Sequence, residues 1–316
     1  MKIHVKSVEL PNGETLGYRE RDGGDEAVVL IHGNMNSSCH WDVVLEQMDA
    51  RYKLYAVDLR GFGISTYHTP IESLSDFTAD VKQWVDLLGL TRFTLIGWST
   101  GGGVAMEYTA AYPDEVTRLV LLASVSTRGY PFYEDGSNGL PDVTRRITTI
   151  EGIRSLARNK RIESANMRRD RQFMKQLYEA VIYDRNQPDE TRYETYLDDI
   201  LTQRNLMDVY HALNTFNVSV FDHEASAGSG AVKRIKAPVL VLRGVHDFVI
   251  TEAMTKETLA DLGDIAEFIP LSGCGHSPLV DDPAQLLNVM ESFLASTSDA
   301  APEAPAASTA PAGQTE

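Results

Sequence analysis

Ala27-Val28-Val29-Leu30-Ile31 is apolar at every position and stops at His32-Gly33. A strand with one face in water alternates apolar and polar residues. An unbroken apolar run instead fits a strand covered on both faces, the habit of parallel sheets. The pattern returns at Lys53 to Val57, and further strands are read at Phe93 to Gly97, Leu119 to Ala123, Pro238 to Arg243 and Ala266 to Ile269. Between these runs lie helical faces. Ser75 to Leu88 spaces Phe77, Val81, Trp84, Val85 and Leu88 on one side, with Ser75 read as its N-cap and Gly89 as its stop. Thr100 to Tyr112 predicts a second helix, and Pro283 suits the first turn of a last one through Leu294. Val5 to Leu10 and Thr15 to Glu20 flank the turn-forming Pro11-Asn12-Gly13 and predict a leading strand pair. Strand–helix alternation of this kind builds an α/β fold, a mostly parallel sheet with helices on both faces.

The rhythm breaks near Ser126. From Arg128 to Lys236 no strand run stands out, whereas helical spacing recurs at Ile147, Ile150, Ile153 and Leu156 within Asp142 to Arg158. It recurs at Phe173, Leu177 and Tyr178, at Tyr193, Tyr196, Leu197 and Ile200, and at Leu206, Tyr210, Leu213 and Phe216. The expected organisation is a core of residues 1–125 and 237–296, an inserted helical cap over 126–236, and a tail over 297–316. That tail has no apolar side chain larger than alanine, so it is expected to be disordered.

Gly97-Trp98-Ser99-Thr100-Gly101 sits between a buried strand and a helix. A serine at so tight a turn is held with its hydroxyl exposed at the sheet's edge, flanking glycines permit the approach, and the helix N-terminus favours developing negative charge. A serine hydroxyl needs a base and an orienting acid to act as a nucleophile. Gly273-Cys274-Gly275-His276 follows the last strand, and Arg243-Gly244-Val245-His246-Asp247 follows the one before it. The chain order Ser99, Asp247, His276 is that of a nucleophile-elbow hydrolase, and both loops lie at strand C-termini, where such sheets gather ligands. The other position for an acid, after Leu119 to Leu122, holds Ala123-Ser124, which cannot serve. The backbone N–H groups of Asn34 and Thr100 are the expected oxyanion donors. The Asn34 side chain either adds an amide or caps a turn, and His32 is read as structural. Trp98, Tyr130, Phe132, Tyr133 and Tyr210 are candidates for an apolar substrate pocket.

Composition narrows the class. Lys and Arg number 29 against 45 Asp and Glu, a net charge of −16, which argues against nucleic acid as a partner. No apolar run reaches the length of a transmembrane helix, and Met1 to Lys6 lacks a signal-peptide core, so a cytoplasmic location is expected. Two cysteines, Cys39 and Cys274, make neither a disulfide framework nor a metal cluster and are read as buried thiols. Residues 141–175 run against the overall charge, with ten Lys and Arg against four Asp and Glu. Arg154, Arg158 and Arg161 are expected there as a solvent-facing stripe, either a solvated helix face paired with core carboxylates or a lure for anionic acyl groups or an anionic particle surface.

Taken together, His32-Gly33-Asn34, Asp58-Leu59-Arg60-Gly61-Phe62-Gly63-Ile64-Ser65, the Ser99 turn, Gly244-Val245-His246-Asp247 and Gly275-His276 resemble the alpha/beta-hydrolase superfamily over about residues 10 to 296. The resemblance implies a cofactor-free, metal-free serine hydrolase acting on a small-molecule carboxylic ester or lactone. It extends loosely to carboxylesterases, lactonases and intracellular polyhydroxyalkanoate depolymerases. Haloalkane dehalogenases and epoxide hydrolases share the architecture but carry aspartate where Ser99 stands. The alternatives for the same three residues are C–C bond hydrolysis, perhydrolysis and acyl transfer, with a non-catalytic small-molecule sensor behind them.

Overall fold

The computed structural model describes residues 1–296, and the expectation for 297–316 lies outside them. The chain opens with β1 (Ile3–Glu9), β2 (Thr15–Arg21) and β3 (Glu26–Ile31), then α1 (Asp42–Gln47), β4 (Tyr52–Val57) and α2 (Leu74–Leu87). β5 (Phe93–Trp98), α3 (Thr100–Ala111) and β6 (Val116–Leu122) follow. An insertion comprises β7 (Tyr133–Asp135), β8 (Pro141–Arg146), α4 (Ile150–Ser155), α5 (Ala157–Met167), α6 (Arg171–Val181), α7 (Glu190–Ile200) and α8 (Leu206–Thr215). The chain then returns through β9 (Val239–Gly244), α9 (Glu252–Leu262), β10 (Ala266–Leu271), α10 (Pro278–Asp281) and α11 (Pro283–Ala295).

Eight strands form one sheet in the order β1-β2-β4-β3-β5-β6-β9-β10. β1 pairs antiparallel with β2 and β2 antiparallel with β4 at one edge, and the five pairings from β4 to β10 are parallel. Each of the eight corresponds to a run expected from sequence. The apolar runs are explained by their surroundings. Val29 and Ile31 join the cluster that includes Phe77, Val81, Trp84 and Met106 of α2 and α3. Val28 and Leu30, pointing the other way, join Val44 and Leu45 of α1 and Leu286 and Met290 of α11. Period-two alternation thus feeds two cores from one strand.

Two local readings change. The N-cap of α2 is Ser73 rather than Ser75: the Ser73 amide donates to Asp76 Oδ2 at 3.0 Å, while the Ser75 hydroxyl donates to Glu107 of α3. The expected helix from Asp142 to Arg158 is also replaced. Its first third is β8, paired with β7 as a hairpin, and the rest divides between α4 and α5 at Leu156, whose ψ of 126° is extended. Arg154 and Arg158 therefore lie on different helices, and no single stripe exists. Arg154 reaches Asp208 at 3.2 Å and Arg161 covers the Phe173 ring at 5.8 Å. Arg158 turns inward, bonding Asp135 and the Tyr133 carbonyl.

The insertion has its own apolar cluster, in which Ile153, Tyr178, Tyr193 and Leu197 meet Met35 and Cys39 from the loop after β3. A polar seam fastens it to the core. Asp199 of α7 accepts from Ser37 Oγ at 2.5 Å and lies 3.0 Å from His40 Nδ1. The Tyr178 hydroxyl donates to the Met35 carbonyl at 2.7 Å, and Gln203 Nε2 donates to Asn34 Oδ1 at 2.8 Å. Burial alone would raise the Asp199 carboxyl, but His40 and Ser37 outweigh it and hold the group below its ordinary value.

Candidate active site

Ser99 stands between β5 and α3 with φ 55° and ψ −117°, a backbone region that non-glycine residues rarely occupy. Such strain costs of order 1–3 kcal/mol and persists only where the surroundings impose it. Here they do. The Ser99 amide donates to the Leu122 carbonyl at 2.9 Å, and the Ser99 carbonyl accepts from Gly102 and Val125 at 2.9 and 3.2 Å. The flanking glycines are required by contact with backbone. A Cβ at Gly97 would lie 2.3 Å from the Gly101 carbonyl oxygen, and one at Gly101 would lie 2.3 Å from that of Ile31. The loop after β3 therefore passes directly against the turn that presents Ser99.

His276 and Asp247 meet at the ends of β10 and β9. His276 Nδ1 lies 2.9 Å from Asp247 Oδ2, and both side chains are buried. Asp247 Oδ1 accepts from the Val249 and Ile250 amides at 2.8 and 2.9 Å, so both carboxylate oxygens are committed. Hydrogen bonds to an ionised acceptor are about twice as strong as neutral ones, which fixes the carboxylate and through it the ring. His276 Nε2 meets no protein partner among the described residues and is the nitrogen left over. Gly244 permits the pairing of the two loops, because a Cβ there would lie 2.1 Å from the Gly275 carbonyl oxygen.

Ser99 and His276 open onto the same cavity of about 820 Å³, together with Asn34 and Thr100. Neither the Asn34 nor the Thr100 amide meets a protein acceptor among the described residues, as an anion-binding pair of donors requires. The Asn34 side chain is turned to Gln203 instead. Tyr130, Phe132, Tyr133 and Tyr210 line the cavity, with Phe132 and Tyr210 rings 4.9 Å apart.

Trp98 does not line it. As the residue before Ser99 it points to the opposite face, packs on Trp41, and donates its indole N–H to the His276 carbonyl at 3.0 Å. Its part is to seat His276 from beneath. His32 is likewise absent from the wall: its Nε2 accepts from the Leu59 amide at 3.0 Å and its Nδ1 faces the Gly33 carbonyl at 2.7 Å, so the ring splints two loops. Cys39 and Cys274 are free and buried, and burial pushes both thiols up to about 12. The sequence reading missed Arg128 and Arg146, which line the cavity, and misplaced Arg158, which lines it too. It also missed the Phe248-to-Met254 wall, for which the apolar Phe248-Val249-Ile250 immediately after Asp247 was an available signal.

No helix among the described residues is long and apolar enough to cross a membrane. A family model described as the alpha/beta hydrolase fold matches residues 26–283. The chain is 28% identical over 264 residues to a protein of Paraburkholderia phymatum named 2-hydroxy-6-oxononadienedioate/2-hydroxy-6-oxononatrienedioate hydrolase, covering 82% of this chain and 83% of that one. It is 24% identical over 278 residues to the pimeloyl-[acyl-carrier protein] methyl ester esterase of Nitrosomonas europaea, covering 87% and 98%. An esterase from Exiguobacterium antarcticum superposes with a TM-score of 0.71 at 16% identity, covering 93% of this chain and 100% of that one, a likeness of fold.

Proposed function

From the premise that the chain belongs to the alpha/beta hydrolase fold family, we propose that it cleaves small carboxylic esters or lactones through an acyl-enzyme on Ser99. The observation that carries this reading is the His276–Asp247 contact of 2.9 Å at the wall of the cavity onto which Ser99 opens. Asp247 holds Nδ1 protonated and stabilises the imidazolium, leaving Nε2 to take the Ser99 proton as Oγ attacks the carbonyl. The Asn34 and Thr100 amides receive the oxyanion, and His276 returns the proton to the leaving alcohol. Water, deprotonated by the same nitrogen, then releases the acid. The insertion acts as a cap whose aromatic side chains exclude water from the acyl group.

A fluorophosphonate probe tests the assignment together with a panel of 4-nitrophenyl esters and lactones graded by length. Labelling confined to Ser99 and ester turnover in the same preparation support it. Labelling of another residue, or of none, overturns it.

A second reading keeps the three residues and changes the bond. The relative from Paraburkholderia phymatum covers over four-fifths of both chains and is named for hydrolysis of an oxo-dienedioate. Carbon–carbon hydrolysis of an oxo-acid is therefore the alternative, and comparing oxo-dienoates with simple esters as substrates separates the two.

A further inference from the structure

Three arginines line the cavity, and two of them are neutralised. Arg128 is held by both oxygens of Asp261 at 3.0 and 3.2 Å. Arg158 is held by Asp135. Arg146, half-buried at the end of β8, has no carboxylate within 4 Å among the described residues. Its Nε donates to Asn214 Oδ1 at 3.2 Å and Nη2 to the Asn214 carbonyl, both on α8. Nη1 meets no protein acceptor among the described residues. The two lining carboxylates each accept from a neutral donor, Glu257 from Ser126 Oγ at 2.6 Å and Asp222 from the Gly228 amide at 2.9 Å, and Glu257, with Glu224, acts on Arg146 only at longer range.

The surroundings sharpen the imbalance. His223 lines the cavity near Arg146, and its Nδ1 accepts from the Ala225 amide at 3.2 Å, which fits a neutral ring. Burial, with Arg146 adding repulsion, pushes His223 below its ordinary value. Asn214 is fully buried and spent: its Oδ1 also takes the Phe132 amide at 2.9 Å, and its Nδ2 donates to the Ile147 carbonyl at 2.6 Å. The guanidinium is thus gripped on one edge by a neutral amide and bare on the other. A cation partly removed from water with no carboxylate in contact is under-compensated, and a planar fork of donors matches a carboxylate.

We propose that Arg146 is a substrate-binding residue that receives a carboxylate at the far end of the acyl chain, so that the preferred substrates are half-esters of dicarboxylic acids. This rests on the hydrolytic reading above and names its substrate class. Monomethyl esters from succinate to suberate, each set against the methyl ester of the corresponding monoacid, provide matched probes of length and charge. At the best length the wild type should prefer the charged ester by about tenfold in kcat/KM, the size expected of one charge-assisted hydrogen bond. Arg146→Gln should bring that ratio close to one, Arg146→Lys should keep part of it, and added salt should shrink it in the wild type.

Calorimetric binding in a Ser99→Ala background separates this proposal from the reading beneath it. Charge-selective, Arg146-dependent binding without turnover in the wild type leaves the subsite standing and removes the hydrolase assignment. Turnover with equal ratios at every length, or a ratio that Arg146→Gln leaves intact, overturns the subsite. If Arg146→Gln does not fold, a preference that is independent of salt and unchanged in Arg146→Lys overturns it equally.

Discussion

The two walls of the cavity are built differently. On the core side, Ser99, Asp247 and His276 sit in loops of a few residues: Ser99 is fixed by the Leu122 carbonyl, Asp247 by the Val249 and Ile250 amides of its own loop, and His276 by Asp247 and the Trp98 indole. On the insertion side, Arg146 is held by Asn214 and Tyr210 packs on Phe132, partners separated by long stretches of chain. The first wall is specified by glycine spacing and strand ends, the second by which distant side chains happen to meet. On the proposed reading, reaction type is set by the first wall and the choice of substrate by the second.

The sharpest way to break that division is at Ser99. Ser99→Ala should lower kcat by a factor on the order of 10⁶ with the fold intact by circular dichroism. Retention of a tenth of the activity in purified protein would move the chemistry elsewhere. Asp247→Asn should cost about 10⁴ in kcat with little change in KM, because a ring in the wrong tautomer still leaves the cavity shaped. A comparable loss expressed in KM instead would place Asp247 on the substrate side of the comparison.

These core residues were legible because their signals are local. Gly97 and Gly101 announce the turn, and Asp247 and His276 each lie in a short glycine-bearing loop within five residues of a strand end. The β7–β8 hairpin was not legible, since β8 is largely exposed and lacks alternation, so nothing in Pro141-to-Arg146 separates a strand from a helix face. Arg146 was lost with it. Trp98 was misassigned for a different reason: in a strand buried on both faces, apolar character does not say which face a residue takes.

The seam between the walls offers a smaller effect. Asp199→Ala removes one partner of a buried pair and should lower unfolding free energy by about 3 kcal/mol in denaturant titrations. A loss under about 1 kcal/mol would mean that apolar packing alone seats the insertion.

The smallest effect concerns pH and lies wholly in the core. Burial lowers His32 below its ordinary value, against the opposing pull of the Gly33 carbonyl and Asp58. A base whose folded pKa is depressed binds its proton more readily when unfolded. Its contribution is therefore complete above the unfolded value of about 6.5 and is lost as pH falls below it, at up to roughly 1.4 kcal/mol per pH unit. Melting temperature should decline from pH 7 to pH 5, and less steeply in His32→Gln, which should already melt lower at pH 7 for want of the Leu59 contact. Parallel declines in the two proteins would assign the acid sensitivity to other groups.

Trp98 gives the core wall one further property. Trp98 and Ser99, adjacent at the end of β5, present the proposed nucleophile on one side and, through an indole N–H, tether the backbone of the proposed base on the other. The spacing between Ser99 and His276 is thus referenced to one dipeptide as well as to the Asp247 loop. A sheet motion that displaced Ser99 should therefore carry the His276 backbone with it, so that the gap of the proposed proton transfer varies less than the positions of the atoms on either side of it.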